Sequence, residues 1–247
     1  INYGRPQKFL TCVVDHISGR TVWAAEGKSA ETLGLFFAEL GPERSKAIEI
    51  VTMDMSAAYT KAVEDHAPQA EIVYDRFHVV QLLNTAVDEV RREAVRNADS
   101  EQKRSLKSTR WALLKNPWNL TRKERQKLSE LQRNNRQIYR AYLLKESFQQ
   151  IYDAASATEA GELFSEWYAW ARRSRLEPFR KFAATIERYW PAVRRFLEVK
   201  LTNAIVEGTN SKIRMISHRA FGFHSAAALI AMIYLNCSNI VIPYIGW

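Results

Sequence analysis

Two acidic residues occupy positions at which carboxylates can support metal-dependent chemistry. Asp54 follows the apolar run AIEIVTM, and a carboxylate at the end of a strand lies where side chains from other elements can approach it. Glu207 lies far along the chain in LTNAIVEGTNSKIRM, a segment with a helical pattern. Hard divalent cations prefer oxygen ligands, and two-metal phosphoryl transfer uses two or three carboxylates from separate elements. Asp54 and Glu207 are therefore candidates for catalytic residues and for ligands of Mg²⁺ or Mn²⁺.

The neighbours of Glu207 favour this interpretation over that of an ordinary solvated glutamate. Asn203 and Asn210 lie within about one helical turn of Glu207 and share its face, so they supply further polar groups beside the carboxylate. For Asp54 the alternative is structural, because a residue at the end of a strand can cap the helix that follows, here through Ser56 and Ala57. The sequence leaves both alternatives open.

Charge is segregated along the chain, which carries a formal net charge of +9. Residues 1–90 hold 8 basic and 13 acidic side chains, residues 91–145 hold 16 and 5, and residues 146–247 hold 12 and 9. A strongly basic segment beside an acidic one favours a polyanionic partner held next to a carboxylate site. A solvated helix face is an equally good explanation of a basic run taken alone.

Basic residues in two segments are the candidates for phosphate contacts. The first segment also contains Trp111 and Trp118, and a mixture of basic and aromatic side chains can hold a distorted DNA end. Tryptophan at helical spacing belongs more often to a core, so we assign both tryptophans mainly to packing. The predicted DNA-binding residues are Arg110, Lys115, Arg122 and Lys123 in the first segment, and Lys212, Arg214 and Arg219 in the second.

The elements that position these residues begin with strands. Residues 8–14 and 20–25 are two β-rich runs separated by DHISG, which predicts an antiparallel hairpin. The order strand, strand, helix, strand, helix, strand indicates an α/β fold with acidic residues leaving the ends of two strands. The other predicted elements are a helix capped by Ser29 and stopped by Gly41-Pro42, a strand at residues 47–53, a helix at residues 56–66 and a strand at residues 71–74.

From Phe77 onward the pattern is helical almost throughout. Residues 98–180 contain a single glycine, Gly161, which is typical of an all-helical insertion. We expect residues 1–90 to form the first part of a core, residues 91–185 the helical insertion, and residues 186–247 the closing helices of the core with the last catalytic acid.

Composition and the cysteines exclude several classes of protein. The 47% hydrophobic content is enough for a substantial core. Cys12 and Cys237 lie in apolar runs without the paired spacing of a zinc site, so we expect buried free thiols. The longest apolar stretch, near residues 226–233, is too short to cross a bilayer, and no charged-then-apolar leader opens the sequence. We expect a cytoplasmic protein without a membrane partner.

Several segments resemble the insertion-sequence transposases of the ISL-three family. They are the run VTMDMSAAYTKAVEDHAPQAEIVYDRFHVVQLLNTAVDEVRR together with RWALLKNPWNLT, AYLLKESF and TNAIVEGTNSKIRMISHRAFGF. The resemblance covers essentially the whole chain. Its most specific parts are the strand that ends at Asp54, the D-x-x-H from Asp75 to His78, and the block at residues 203–223.

The resemblance implies a bacterial Asp-Asp-Glu transposase with a ribonuclease-H-like mixed sheet flanked by helices and interrupted by a large all-α insertion. Asp54 would be its second acid and Glu207 its last. Asp75 and His78 would mark the start of the insertion and orient the scissile phosphate or the attacking group. The alternative for this pair is that Asp75 caps the helix while His78 packs beside it.

The resemblance also places the first catalytic acid on an opening strand, ahead of a basic linker and the hairpin. The chain starts INYGRPQKFLTCVVDH, so Asp15 aligns with the hairpin turn. We prefer Asp15 as a turn residue to Asp15 as a metal ligand, and expect the first acid to lie upstream of Ile1. The amino-terminal DNA-binding region of the family would then also lie outside this chain.

We therefore expect metal-dependent cleavage of transposon ends and transfer of the strands into target DNA. The partners would be double-stranded terminal inverted repeats and target DNA, bound by a homodimer. One alternative is a structure-selective nuclease on the same fold, which cuts without joining. The other is a catalytically incomplete DNA-binding fragment.

Overall fold

The computed structural model describes residues 1–4, 8–199 and 204–240. In this part of the chain the strands are β1 (Asn2–Gly4), β2 (Lys8–Asp15), β3 (Arg20–Glu26), β4 (Ile50–Met53) and β5 (Glu71–Tyr74). The α-helices are α1 (Ala30–Leu40), α2 (Pro42–Lys46), α3 (Ala57–His66), α4 (Arg76–Asn97), α5 (Ser100–Lys107), α6 (Arg110–Leu114), α7 (Arg122–Asn134), α8 (Arg136–Gln150), α9 (Ala157–Arg173), α10 (Glu177–Val199), α11 (Ala204–Arg219) and α12 (Ala226–Cys237).

The strands form two sheets within the described residues. β1, β2 and β3 make a three-stranded antiparallel sheet in that order, and β4 pairs with β5. β2 and β3 are the predicted hairpin, in which Val13 lies opposite Trp23 and Asp15 opposite Arg20. The prediction of an α/β protein is confirmed, and helices make up most of the described chain.

Capping residues set the limits of the first helices. The hydroxyl of Ser29 accepts a hydrogen bond from the backbone N–H of Thr32 and opens α1, which ends at Gly41 as predicted. Pro42 does more than stop α1. It opens the short helix α2, since the first turn of a helix tolerates a residue without an N–H. β4 consequently begins at Ile50, and the prediction that this strand starts at residue 47 was wrong.

The chain divides into two compact units. We call Ile1–Val73 with Leu201–Trp247 the core unit, and Tyr74–Lys200 the helical unit. In the core unit, Leu10 of β2 shares an apolar cluster with Ile213 of α11 and with α12. Burial of each such side chain stabilises the fold by about 1.5–3 kcal/mol. This cluster anchors α11, the helix that carries Glu207, against the three-stranded sheet.

The two cysteines belong to the same part of the core unit. Both are free thiols, with Cys237 buried and Cys12 half-buried. Burial raises the pKa of Cys12 to about 11, so the thiol stays protonated and poorly reactive near neutral pH. The prediction of free thiols is confirmed for both residues, and the prediction of burial is confirmed for Cys237.

The helical unit is built around α4, which packs against α8 and α10. An aromatic cluster joins the surrounding helices, because the ring of Phe148 in α8 lies 4.8 Å from Trp167 in α9 and 5.1 Å from Phe182 in α10. The indole N–H of Trp167 donates a hydrogen bond to the carbonyl of Leu144 at 2.8 Å. Because the buried indole N–H has a hydrogen-bond acceptor, these large rings give the helical unit a core of its own.

Gly27 provides a test of the turn between β3 and α1. Its φ of +121° lies where residues with a side chain rarely fall, and an added Cβ would lie 2.3 Å from the hydroxyl oxygen of Thr32. We expect Gly27→Ala to lower the free energy of unfolding by about 1–3 kcal/mol, measured by urea denaturation. Gly161→Ala is the matched control. Gly161 lies inside α9 with open space at the Cβ position, so alanine there should stabilise by about 0.5–1 kcal/mol. Equal effects of both variants would contradict this account of the turn.

Candidate active site

Asp54 lies at the exposed end of β4, as the sequence predicted. The cap of the following helix α3 is Ser56, whose hydroxyl accepts a hydrogen bond from the backbone N–H of Tyr59 at 3.4 Å. The backbone carbonyl of Asp54 accepts a hydrogen bond from the N–H of Ser56 at 2.7 Å. Ser56 is therefore the N-cap residue of α3.

Tyr59 connects the Asp54 segment to the three-stranded sheet. Its hydroxyl and that of Thr11 on β2 are hydrogen-bonded at 2.8 Å. Burial raises the pKa of Tyr59, the hydrogen bond with Thr11 lowers it, and the negative charge of Asp54 raises it further. Tyr59 thus stays a neutral hydroxyl that holds the turn after Asp54 beside β2.

The strand β2 contacts both the segment that follows Asp54 and the helix α11. The hydroxyl of Thr11 on β2 is hydrogen-bonded to that of Tyr59 on α3, and Leu10 of β2 shares an apolar cluster with Ile213 of α11. Both elements therefore pack against the same strand of the core unit.

Glu207 is exposed in the first turn of α11. Asn210 lies three residues after Glu207, and Arg214 lies four residues after Asn210, so both share the helix face of Glu207. Thr209 and Ile213 are buried on the other side of the helix. Seven residues of helix separate Glu207 from Arg214 by about 10 Å along the axis. The predicted neighbour Asn203 lies outside the described residues.

A cavity of about 450 Å³ lies beside the carboxyl-terminal half of α11. Phe221, in the turn after α11, is fully exposed and has a φ of +55°, which is unusual for a residue with a bulky side chain. No local pattern in the sequence indicates this exposed ring. The cavity is lined by Ile1, Asn2, Tyr3, Ile213, Arg214, Ser217, His218, Phe221, Gly222 and Leu229.

The donor chemistry of the predicted site residues suits a hard cation. Asp54 and Glu207 offer exposed carboxylates and Asn210 offers an amide oxygen, which are the ligand types that Mg²⁺ prefers. Among the described residues, no three His, Cys, Asp or Glu side chains form a group that could hold a metal ion. The meeting of Asp54 with Glu207 stays a prediction.

Asp15 is a turn residue in the structure. Its Oδ2 accepts hydrogen bonds from the backbone N–H of Ser18 at 2.9 Å and from the Ser18 hydroxyl at 2.5 Å. These hydrogen bonds, the side-chain one first, hold the pKa of Asp15 below its usual value. The carboxylate is committed to the hairpin turn, which agrees with the interpretation that we preferred.

Asp75 caps α4 in the helical unit. One carboxylate oxygen accepts a hydrogen bond from the backbone N–H of Phe77 at 3.3 Å, and the other is buried without a hydrogen-bond partner among the described residues. Burial raises the pKa of Tyr152 well above its usual value, Arg76 lowers it and Asp75 raises it. His78 is half-buried, with its ring 5.4 Å from that of Phe77. Asp75 therefore caps α4 in the structure. A role for Asp75 and His78 in catalysis stays a prediction.

Comparison with known proteins decides the family. The sequence matches the model of the ISL-three family, described as transposase, over residues 1–233. The chain belongs to this transposase family. The transposase for insertion sequence element IS1557, in two strains of Mycobacterium tuberculosis, is 38% identical over 97% of this chain. The transposase for insertion sequence element IS1001 of Bordetella parapertussis is 34% identical over 87% of it.

The ISL-three chain spans only part of the length of these relatives. It covers 59% of the first transposase and 54% of the second. No solved structure matches it. In the part of the chain that the structure describes, no helix is long and apolar enough to cross a membrane.

The basic residues predicted to bind DNA differ in their exposure and in their ion pairs. Arg110, Arg122 and Lys123 are exposed, as are Lys212, Arg214 and Arg219 on α11. Lys115 is half-buried and forms an ion pair with Glu124 at 2.7 Å. The hydrogen bond from Lys115, followed by that from the backbone of Thr121, lowers the pKa of Glu124 to about 2. Lys115 is therefore engaged in holding the start of α7.

The assignment of both tryptophans mainly to packing was wrong. Trp111 is 60% exposed and Trp118 is 75% exposed. α6 is a short helix whose buried side chains are Ala112 and Leu113, so Trp111 falls on its solvent side. Trp118 lies in a single 3₁₀ turn opened by Pro117, where the helical spacing used for the prediction does not apply.

An arginine cluster in the helical unit was missed altogether. Asp88 of α4 is buried and forms ion pairs with Arg91 and Arg92, both at 2.7 Å, while Arg110 lies 3.8 Å away. Burial raises the pKa of Asp88, but the hydrogen bond from Arg91 and the adjacent arginine charges outweigh this and hold the pKa below its usual value. The spacings of three and four residues were a helical ion-pair signal, but nothing local indicates Arg110.

Proposed function

We propose that this chain carries catalytic residues of an Asp-Asp-Glu transposase, which cleaves the ends of a transposon and joins the freed 3′ hydroxyl to target DNA. The proposed fold is a ribonuclease-H-like core from residues 1–90 and 186–247, with residues 91–185 as its helical insertion. Membership of the transposase family supports the reaction class. The partners would be terminal inverted repeats and target DNA, bound by a homodimer.

The observation that carries the proposal is the contact of β2 with both the Asp54 segment and α11. The hydroxyl of Thr11 is hydrogen-bonded to that of Tyr59, and Leu10 shares an apolar cluster with Ile213 of α11. A strand-end carboxylate and an exposed helix with its own carboxylate thus belong to elements that pack against one strand. Carboxylates from separate elements in such an arrangement support metal-dependent phosphoryl transfer.

The residues divide into metal ligands, an orienting residue and phosphate-binding residues in the proposed reaction. Asp54 and Glu207 would hold Mg²⁺ or Mn²⁺ through carboxylate oxygens, with the amide of Asn210 orienting Glu207. A bound cation would lower the pKa of the attacking water or 3′ hydroxyl and neutralise the leaving oxygen. Lys212, Arg214 and Arg219 would hold the phosphates on either side of the scissile bond, because they are exposed on α11.

Removal of divalent metal tests the reaction class. With the full-length protein and labelled duplexes that carry the transposon end, we expect cleavage and strand transfer in Mg²⁺ or Mn²⁺ and none in EDTA. Carboxylates without a cation cannot stabilise the leaving oxygen, and they repel one another. Gel analysis separates nicked from joined products.

The same assay distinguishes the alternatives. Metal-dependent cutting without joined products would identify a structure-selective nuclease instead. DNA binding with no cleavage in any metal would overturn the proposed catalytic role and leave a DNA-binding protein.

A further inference from the structure

Asp88 and its arginine partners form a cluster that holds the guanidinium groups of Arg92 and Arg110 near each other on the surface of the helical unit. Nε of Arg91 donates a hydrogen bond to Oδ1 of Asp88 at 2.8 Å, and Arg92 approaches Oδ2 at 2.7 Å. One carboxylate therefore faces the three arginines at positions 91, 92 and 110, which leaves an excess of about two positive charges. The side chains of Arg92 and Arg110 are 65% and 49% exposed, so both are accessible to a ligand.

Trp111 extends this cluster with an aromatic surface. The guanidinium of Arg110 lies 5.3 Å from the centroid of the Trp111 ring, and 60% of the Trp111 surface is exposed. An exposed indole next to fixed cations differs from a lone surface tryptophan, because the cations attract a polyanion and the ring offers a face for stacking.

We propose that Arg92, Arg110 and Trp111 bind an unpaired nucleotide of DNA, with a phosphate on the two guanidinium groups and the base stacked on the indole. The proposal rests on the proposed function in that its ligand is DNA. Phosphate contacts alone would not use the tryptophan. The interior of a paired duplex would not use it either, because neighbouring bases there cover each other's faces. Asp88 has a positioning role, since it holds the arginines without contacting the ligand.

Binding of two matched DNAs to the full chain tests the inference by fluorescence anisotropy. One is a blunt labelled duplex, and the other has the same sequence with three unpaired nucleotides at one end. We expect Trp111→Ala to weaken binding of the DNA with the unpaired end by about 10- to 100-fold and to leave blunt binding within about threefold. Trp111→Phe, which keeps an aromatic face, should retain most of the preference.

Substitution of the arginines should give a different pattern. Arg92→Gln with Arg110→Gln removes the cations that pair with phosphate, so both DNAs should bind more weakly. The slope of log affinity against log salt should fall by about one for each phosphate that is no longer neutralised by a guanidinium. Trp118→Ala is the matched control, because Trp118 is also exposed in the helical unit, and it should leave the preference for the unpaired end unchanged.

The outcomes separate this inference from the proposed function. Equal weakening of both DNAs in Trp111→Ala, or no weakening, would overturn the stacking role while transposase activity stands. The same selective weakening in Trp118→Ala would overturn the assignment of the site to Trp111. Displacement of the DNA with the unpaired end by polyglutamate as effectively as by a single-stranded oligonucleotide would show an unspecific anionic site. Failure of the unaltered chain to bind either DNA would also contradict the proposed function.

Discussion

Glu207→Gln in the full-length protein should reduce cleavage of transposon ends by at least about 100-fold and leave DNA affinity within about threefold. The amide keeps the size and hydrogen bonding of the side chain but removes the charge that would hold a divalent cation. Changes in residues that only orient a metal ligand already cost about 10- to 100-fold in activity, so loss of a ligand should cost more. Asp54→Asn should behave in the same way. Single-turnover cleavage and anisotropy measurements on the same preparation report the two effects separately.

The matched control for Glu207→Gln is Glu64→Gln. Glu64 is also an exposed glutamate of the core unit, on α3, and has no proposed role in catalysis. Its substitution should leave cleavage unchanged. Cleavage that persists in Glu207→Gln while DNA binding is lost would show that Glu207 serves recognition and not metal binding. Loss of cleavage in Glu207→Gln but not in Asp54→Asn would contradict the proposal that both residues hold the catalytic metal.

The elements around Asp54 could be predicted because their signals are local. The DHISG turn, the Ser29 cap and the β-rich run KFLTCVV depend on neighbours within a few residues, and all three predicted features appear in the structure. The position of Asp54 at a strand end could be predicted because an apolar run precedes it directly. The competing role as a helix cap was harder to exclude, because Ser56 and Asp54 are both good capping residues and only the structure shows which one is used.

The charge of the helical unit shows where sequence reasoning fails. Residues 91–145 contain 16 basic side chains, and the sequence alone treats each one as available to a polyanion. Lys145 is in fact completely buried, and its ammonium donates a hydrogen bond to the carbonyl of Lys115 at 3.0 Å and pairs with Glu146 at 2.6 Å. Arg91 is likewise buried against Asp88. Net charge therefore overstates the surface that DNA can reach.

The tryptophans were misassigned, and the contact of Arg110 with Asp88 was missed, for a related reason. The face that a helix buries is decided by its partners in space, and α6 packs against α4 and α7, whose arrangement the sequence of α6 does not encode. Arg110 approaches Asp88 across 22 positions of sequence, beyond any local pattern. The residues of our further inference thus became visible only when α4 and α6 were seen together.

Asp88→Asn should lower the free energy of unfolding of the helical unit by about 3 kcal/mol. The side chain of Asp88 is 7% exposed and that of Arg91 11%, so the neutral amide would leave a guanidinium in a poorly solvated place without its counter-charge. Breaking a buried ion pair from one side costs about 3–5 kcal/mol, and we expect the lower end because Arg92 and Arg110 are largely exposed. Hydrogen exchange of α4, followed by mass spectrometry, reports the local destabilisation directly.

Glu177→Gln is the control for Asp88→Asn, because it removes a carboxylate from an exposed ion pair of the same unit. The Glu177 and Arg180 side chains are 60% and 53% exposed, and such pairs contribute less than about 1 kcal/mol. The control should therefore leave hydrogen exchange of α4 close to that of the unaltered protein.

The effect of Asp88→Asn should also depend on pH in a defined direction. Because the pKa of Asp88 is held below its ordinary value of 3.8, its contribution is complete above that value and is lost as the pH falls through the folded-state pKa. The stability difference between the unaltered protein and Asp88→Asn should therefore be constant from about pH 7 to about pH 5 and narrow below about pH 4. A difference that is small at neutral pH, or that widens in acid, would mean that Asp88 is not the ionised centre that fixes the arginines.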